Sequence, residues 1–268
     1  RMEDGLDFDE YYEPGYQVTD MLFRSAAAVN TTSTDVFRSR KGGSHCFHYS
    51  SQTTNILSAF LIQIFKQRAA ARGESQESGY SDFVSFVNEF FEILNMRSAA
   101  IGTDSSGVPV GSSFGYATAT DWAKLGLLYL QDGFWEISGN RSRILPEGWV
   151  NFSSSPSASS NNVYGAHFWV GGFPGVENTE DSSINTEANR ELISRCDAIF
   201  PARLNPPRDW LRKAFPIGTF LAHGFEEQCV AINQDRGVVV VRLGASKEWQ
   251  NWTDKKVRFY SGLFSALP

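Results

Sequence analysis

The chain predicts an α+β fold, and three observations carry that reading. Apolar residues recur with helical spacing in two stretches between residues 56 and 94. Two β-patterned runs flank a turn between 228 and 243. An amphipathic stretch closes the chain from 254 to 266. Helices in the middle, antiparallel strands late and a final helix describe mixed layers, and no repeat of 20–50 residues is present. Residues 1–268 are expected to form one domain, since no linker-like stretch separates two cores.

Residues 1–16 interleave Leu6, Phe8, Tyr11, Tyr12 and Tyr16 with acids and predict an irregular surface segment. A short helix is expected over 17–29 and a polar loop over 30–44. After Tyr49-Ser50-Ser51, residues Ile56, Leu57, Phe60, Leu61, Ile64 and Phe65 form a one-sided stripe of the kind that faces a core, with Gly73 as the stop. A second helix is expected from Ser81 as N-cap, with Phe83, Val84, Phe86, Val87, Phe90, Phe91 and Leu94 on its apolar face. Residues 99–117 predict a surface loop. Thr118-Ala119-Thr120-Asp121 has the shape of a capping box, with Asp in the fourth place, and opens a helix that Gly133 ends.

Leu145 to Val150 predict a short helix with Pro146 in its first turn, and 153–162 a low-complexity loop. Tyr164 to Val170 read as a strand, and 174–192 as a surface excursion. Gln228 to Ile232 and Val238 to Leu243 flank a five-residue turn, Asn233 to Gly237, and predict a hairpin. The last helix, Asp254 to Ala266, carries Val257, Tyr260, Leu263 and Phe264 on one side.

Composition narrows the function classes. Of 268 residues, 41% are hydrophobic and 14% aromatic, which excludes whole-chain disorder. A net charge of -6 argues against a nucleic-acid partner, because phosphate binding needs clustered Lys and Arg. No apolar run approaches a membrane span of roughly 18–20 residues. Three cysteines, Cys46, Cys196 and Cys229, are compatible with three buried thiols or with one bridge and a free thiol. Four N-x-Ser/Thr patterns begin at Asn30, Asn140, Asn151 and Asn251, against about two expected by chance, and point to a secretory route.

Four short patterns carry candidate chemistry. His45-Cys46-Phe47-His48 has metal-ligand residue types but no partner pair elsewhere, so neither a metal nor a cofactor is expected. Gly111-Ser112-Ser113-Phe114-Gly115 matches Gly-x-Ser-x-Gly, without a strong strand before it, and a Gly/Ser loop explains it equally. Tyr49 ahead of a helix, followed by two hydroxyls, could place a phenol as a base if a cation stood nearby; a helix cap and aromatic staple serve the same pattern. Ala222-His223-Gly224-Phe225 puts a Gly at a strand edge, where a backbone amide can face an oxyanion.

In order along the chain, these pieces resemble the serine β-lactamase-like family of class C β-lactamases, related esterases and 6-aminohexanoate-dimer hydrolases. Gly5 to Glu10, Phe47 to Leu57, Gly107 to Leu130, Ile144 to Val150 and Ala222 to Gly244 carry the resemblance, which covers nearly all of the chain except about 174–215. It implies a β-lactamase/transpeptidase-like antiparallel sheet with flanking helices, and acyl transfer by a Ser-x-x-Lys serine assisted by a Tyr. Tyr49 matches that Tyr, and Ser51 stands where the family has Asn. Ala222-His223-Gly224 stands in place of Lys-Thr-Gly, so the cation is lost and His223 is the titratable substitute. Phe225 would supply an oxyanion amide. Glu227 sits where relatives often have Gly.

Two departures shape the expectation. Loss of the Lys tilts the substrate from β-lactams to small esters or amides. Ser-x-x-Lys occurs nowhere in the chain, so the sequence reads as an N-terminally incomplete member, lacking the nucleophile segment and inactive as it stands. The alternative is a non-catalytic binding or scaffold protein on the same fold, and a further one an α/β-hydrolase using Ser113.

Overall fold

The computed structural model describes residues 47, 49, 51–104, 108–160, 162–171, 187, 188, 190–192, 194, 208–246 and 254–267. Expectations for 1–44, the His45-Cys46-His48 pattern, Cys196 and the sequons at Asn30 and Asn251 lie outside them. Two compact units divide the chain. One takes in the described residues from Tyr49 to Asp121; the other takes in Phe47 and those from Trp122 onward.

In the first unit, α1 (Ser51–Ala71) and α2 (Gln76–Ile93) form an antiparallel pair. Gly73 ends the α1 turn at φ 76°, as its lack of a Cβ permits. The N-cap of α2 is Ser75, whose hydroxyl accepts from the Ser78 amide, so the helix starts well ahead of Ser81. Gly79, not the aromatic run, sets the crossing: a Cβ there would lie 2.5 Å from Lys66 Cα. Phe65 then packs on Phe83 and Phe86, with ring centroids 5.6 and 5.5 Å away.

The stripe on α1 is covered only in part, with Ile56, Leu61, Ile64 and Phe65 half-buried. Its buried line is Ser51, Asn55, Ile62 and Ala69, while Leu57 and Phe60 are 53% and 65% exposed. Small and polar residues are covered because they let a neighbouring backbone come close. The 99–117 segment is more than a loop: β1 (Ala100–Ile101) pairs with β2 (Gly115–Tyr116), and Thr103 bridges Pro109.

Helix α3 (Ala119–Leu130) opens as expected, with the Thr118 hydroxyl accepting from the Asp121 amide. The box is not closed reciprocally. The Asp121 carboxylate takes the Ser98 amide and hydroxyl instead, and the Ser98 hydroxyl accepts from the Thr118 amide.

In the second unit, β3 (Phe134–Ile137) and β4 (Asn140–Arg143) form a hairpin that the patterns did not predict. Its two-residue turn, Ser138-Gly139, has φ of 50° and 78°, the positive pair of a type I′ turn. Helix α4 (Trp149–Ser154) starts later than expected, with Pro146 in the turn ahead of it. Within the expected low-complexity loop, Ser157, Ser159 and Ser160 are at most 5% exposed. Ser160 Oγ donates to the Ser157 carbonyl and accepts from the Val163 and Tyr164 amides, satisfying backbone groups that burial would otherwise orphan.

Only Trp169–Val170 (β5) of the expected Tyr164–Val170 strand is one, since Tyr164 to Trp169 turn back on themselves. Phe47 is fully buried against Tyr164 and Trp169. Within the expected surface excursion, the few described residues, Glu187, Ala188 and Arg190 to Leu192, are helical and mostly exposed.

After α5 (Arg208–Ala214) come β6 (Thr219–His223), β7 (Cys229–Asn233) and β8 (Val238–Arg242), and the chain closes with α6 (Asp254–Ala266). They complete an antiparallel sheet in the order β5-β6-β7-β8. Register assigns its faces. Phe220, Val230, Ile232 and Val239 share one face and form a core with Trp122 and Tyr129 of α3 and Val150 of α4. On the other, Thr219 lies beside Asn233, Leu221 beside Ala231, and His223, Cys229 and Arg242 make a row. Helices α5 and α6 interlock through Trp210, Phe215, Tyr260 and Phe264, and Trp210 meets the ring of His223. The architecture is α+β, with small antiparallel sheets and several helices. No helix among the described residues is long and apolar enough to cross a membrane.

Candidate functional site

The residues singled out from the sequence fall in two places. Tyr49 and Ser51 lie at the head of α1 in the first unit; His223, Gly224 and Phe225 lie at the end of β6 in the second.

Tyr49 is partly buried just before α1, and Ser51, 7% exposed, opens the helix. One turn on, Asn55 is 1% exposed, and its Oδ1 accepts from the Ser112 amide at 3.3 Å. That bond draws the Gly111–Ser113 turn onto the helix. Gly111 permits it, because any Cβ there would run into Ser58 Oγ. The Gly-x-Ser-x-Gly pattern is therefore a turn leading into β2, with α3 beginning only at Ala119, and not a strand-to-helix elbow. Asn55 was missed by sequence reasoning. Its one signal is polarity inside an apolar helix, where an Asn needs a reason to be.

At the other place, β6 turns into β7 through residues 224–228. Gly224 is extended, and its amide donates to the Gln228 carbonyl at 2.8 Å, closing the hairpin. Phe225 is half exposed. Glu226 and Glu227 follow with φ of 54° and 66°, two consecutive left-handed residues with side chains, a conformation that costs roughly 1–3 kcal/mol each.

Glu227 holds this turn from inside. It is 3% exposed and pairs with Lys256 of α6 and with Arg242 of β8. Ser246 donates to Glu227 Oε2 at 3.1 Å, and Arg242 donates to Ser246 Oγ at 2.8 Å and to the Glu227 carbonyl at 2.9 Å. Strand β8, the residues just after it and α6 thus each contribute a charged or polar contact to the turn.

His223 lies mostly buried beside this network, its ring centroid 6.5 Å from that of Trp210. Burial, then the charges of Arg242 and Lys256, lower its pKa to about 4, so its imidazole is neutral at physiological pH. Cys229, paired with His223 in the ladder, is a buried free thiol that burial pushes up to about 12. It is inert as a nucleophile. No cluster of metal-ligating side chains occurs among the described residues. No protein-family model matches the chain, and no curated protein matches it.

Proposed function

We propose a serine hydrolase-type protein of the β-lactamase-like family, cleaving ester or small amide bonds through an acyl-enzyme, and inactive in this chain alone. The observation that carries the reading is the anchored turn after β6. His223-Gly224 ends a strand of an antiparallel sheet, and strained residues held by three side chains fix the backbone at Phe225. Such a turn suits a strand-edge amide that must meet a developing oxyanion without reorganising.

In this reading Tyr49 relays a proton to the leaving group and Ser51 hydrogen-bonds substrate at the family's Asn position. Phe225 contributes the oxyanion amide. His223 acts as a neutral group, because burial and the charges of Arg242 and Lys256 depress its pKa, and those two cations are paired with Glu227. With a neutral side chain at 223 and both neighbouring cations engaged by Glu227, uncharged esters and amides fit better than a β-lactam carboxylate.

Ser-x-x-Lys does not occur in residues 1–268, so these residues offer no attacking serine of that motif. That same observation favours the second reading, a non-catalytic binding or scaffold protein on this fold.

A fluorophosphonate probe and a p-nitrophenyl ester test both. The chain alone should neither label nor turn over. Extended by a Ser-x-x-Lys segment it should do both, and Tyr49→Phe should then lower kcat about 100-fold, the usual contribution of a proton-transfer group. Continued silence of the extended, folded protein would favour the binding reading. Activity from the chain alone would sink the proposal, and Ser113→Ala would be the next variant to assay.

A further inference from the structure

The four-stranded sheet has two edges, and they differ. At one, β5 is two residues long, and the outward amide of Val170 donates to the Val163 carbonyl at 2.8 Å. The chain just ahead of β5 thus folds over that edge. At the other, β8 runs five residues from Val238 to Arg242, and no described residue pairs with it on the side away from β7.

Alternation fixes which groups of β8 face outward. The Gly224 amide bonds the Gln228 carbonyl, so Ala222 with Val230 and Phe220 with Ile232 are the next hydrogen-bonded pairs of β6 and β7. Cys229, Ala231 and Asn233 therefore turn their amides and carbonyls the other way, towards Arg242, Val240 and Val238 of β8. That leaves the N–H and C=O groups of Val239 and Val241 directed outward in the plane of the sheet.

Natural edge strands are blunted by charge, proline, a bulge or brevity. Val238 to Val241 show none of these. Their register with β7 is unbroken, and the charge that follows, Arg242, is engaged by Glu227. All four valines are half-buried, Val239 and Val241 on the α3 face and Val238 and Val240 on the face of Leu221 and Ala231.

The edge is also complementary to itself. A two-fold axis through Val240 sets Val239 against Val241 of the partner subunit, and Val241 against the partner's Val239. Each pair then exchanges both of its N–H···O=C bonds. Val240 meets the partner's Val240 in the closer, non-hydrogen-bonded pairing. Arg242 stands opposite the partner's Val238, so no cation faces a cation.

We propose that β8 is a dimerisation edge, along which two copies of this chain pair antiparallel and join their sheets in the order β5-β6-β7-β8-β8-β7-β6-β5. Pairing consumes both long edges and leaves outside only the short, covered β5 edges, so assembly closes at two.

The test is the mass of the full chain in solution by sedimentation equilibrium. A species of two chains is expected, dissociating on dilution. Val241→Pro removes one outward N–H from each copy and no bond to β7, and should weaken association about 30-fold. Val240→Lys sets two ammonium groups across the axis and should weaken it as well. Non-hydrogen-bonded Cα atoms lie about 4.5 Å apart, within disulfide reach, so Val240→Cys should cross-link two chains on mild oxidation. Val238→Cys, opposite the partner's Arg242, should cross-link no more than the unsubstituted protein. A monomer at every concentration up to the solubility limit overturns the proposal, and so does a dimer whose affinity is unchanged in folded Val240→Lys. A dimer without the Val240→Cys cross-link overturns the register, and open-ended growth overturns the closure. If Val241→Pro fails to fold, Val240→Lys and the cross-link still decide.

Discussion

Glu227 joins backbone strain to buried charge, and the two make opposite demands on the side chain. Its left-handed φ of 66° favours Gly, while its carboxylate is the counter-ion of Lys256 and Arg242. Removing one member of a buried ion pair costs about 3–5 kcal/mol, and relieving one strained residue returns about 1 kcal/mol, so charge decides the sign. Glu227→Ala is expected to lose about 3 kcal/mol and Glu227→Gly about 1 kcal/mol less than that, read as a lower urea midpoint at unchanged slope. If Gly proved worse than Ala, strain would not be what the ion network restrains. Nothing in the local sequence announces any of this. The strand edge at Gly224 was legible because Gly interrupts a β pattern, but Lys256 and Arg242 reach Glu227 from 29 and 15 positions away, and only the folded sheet brings them there.

Elements were legible where both pattern and punctuation lie within a few residues. The 229–242 hairpin has its turn written in it: buried Asn233 accepts the Arg236 amide and donates to Thr219 and Ile217, while Gly237 takes φ 65°. The same turn caps two helices, since Gln234 donates to the Tyr129 carbonyl of α3 and Arg236 to the Phe264 carbonyl of α6. Periodicity held only in part on α1, where Leu57 and Phe60 stay exposed, because it says which residues share a face and not how much of that face is covered. Glycines inside helices show the same dependence on context. In α3, a Cβ on Gly126 would stand 2.5 Å from a Val239 methyl and 3.0 Å from a Val230 methyl, both on stiff β-branched side chains. In α6, nothing lies within 4 Å of one on Gly262. Helix propensity favours Ala at both sites by up to about 1 kcal/mol, but overpacking costs about 1–3 kcal/mol. Gly126→Ala should therefore lower thermal stability and Gly262→Ala raise it; equal shifts would mean that the α3–sheet contact has slack.

Across the whole molecule, the sheet face that carries His223, Cys229 and Arg242 should set the pH range of stability. His223 must stay neutral to remain where it is, facing Arg242 and Lys256, and its pKa falls from 6.5 to about 4. A lowered folded-state value means that the unfolded chain takes up the proton first as pH falls. Stability from this group is thus complete above pH 6.5 and drains away down to about pH 4, by up to about 3 kcal/mol. Cys229 limits the alkaline side. Its pKa rises from 9.0 to about 12, so its contribution is complete below pH 9 and lost as pH climbs through that interval. Tyr260 of α6 is shifted upward by burial and adds to the alkaline loss. The expected profile is a plateau between about pH 6.5 and 9 with separable shoulders. Urea midpoints between pH 4 and 10 check it: His223→Gln should flatten the acid shoulder alone, and Cys229→Ala the early part of the alkaline one. An acid shoulder unchanged in His223→Gln would assign acid sensitivity to the carboxylates and to His167, whose pKa burial also lowers, and would mean that the imidazole at 223 reaches water in the folded protein.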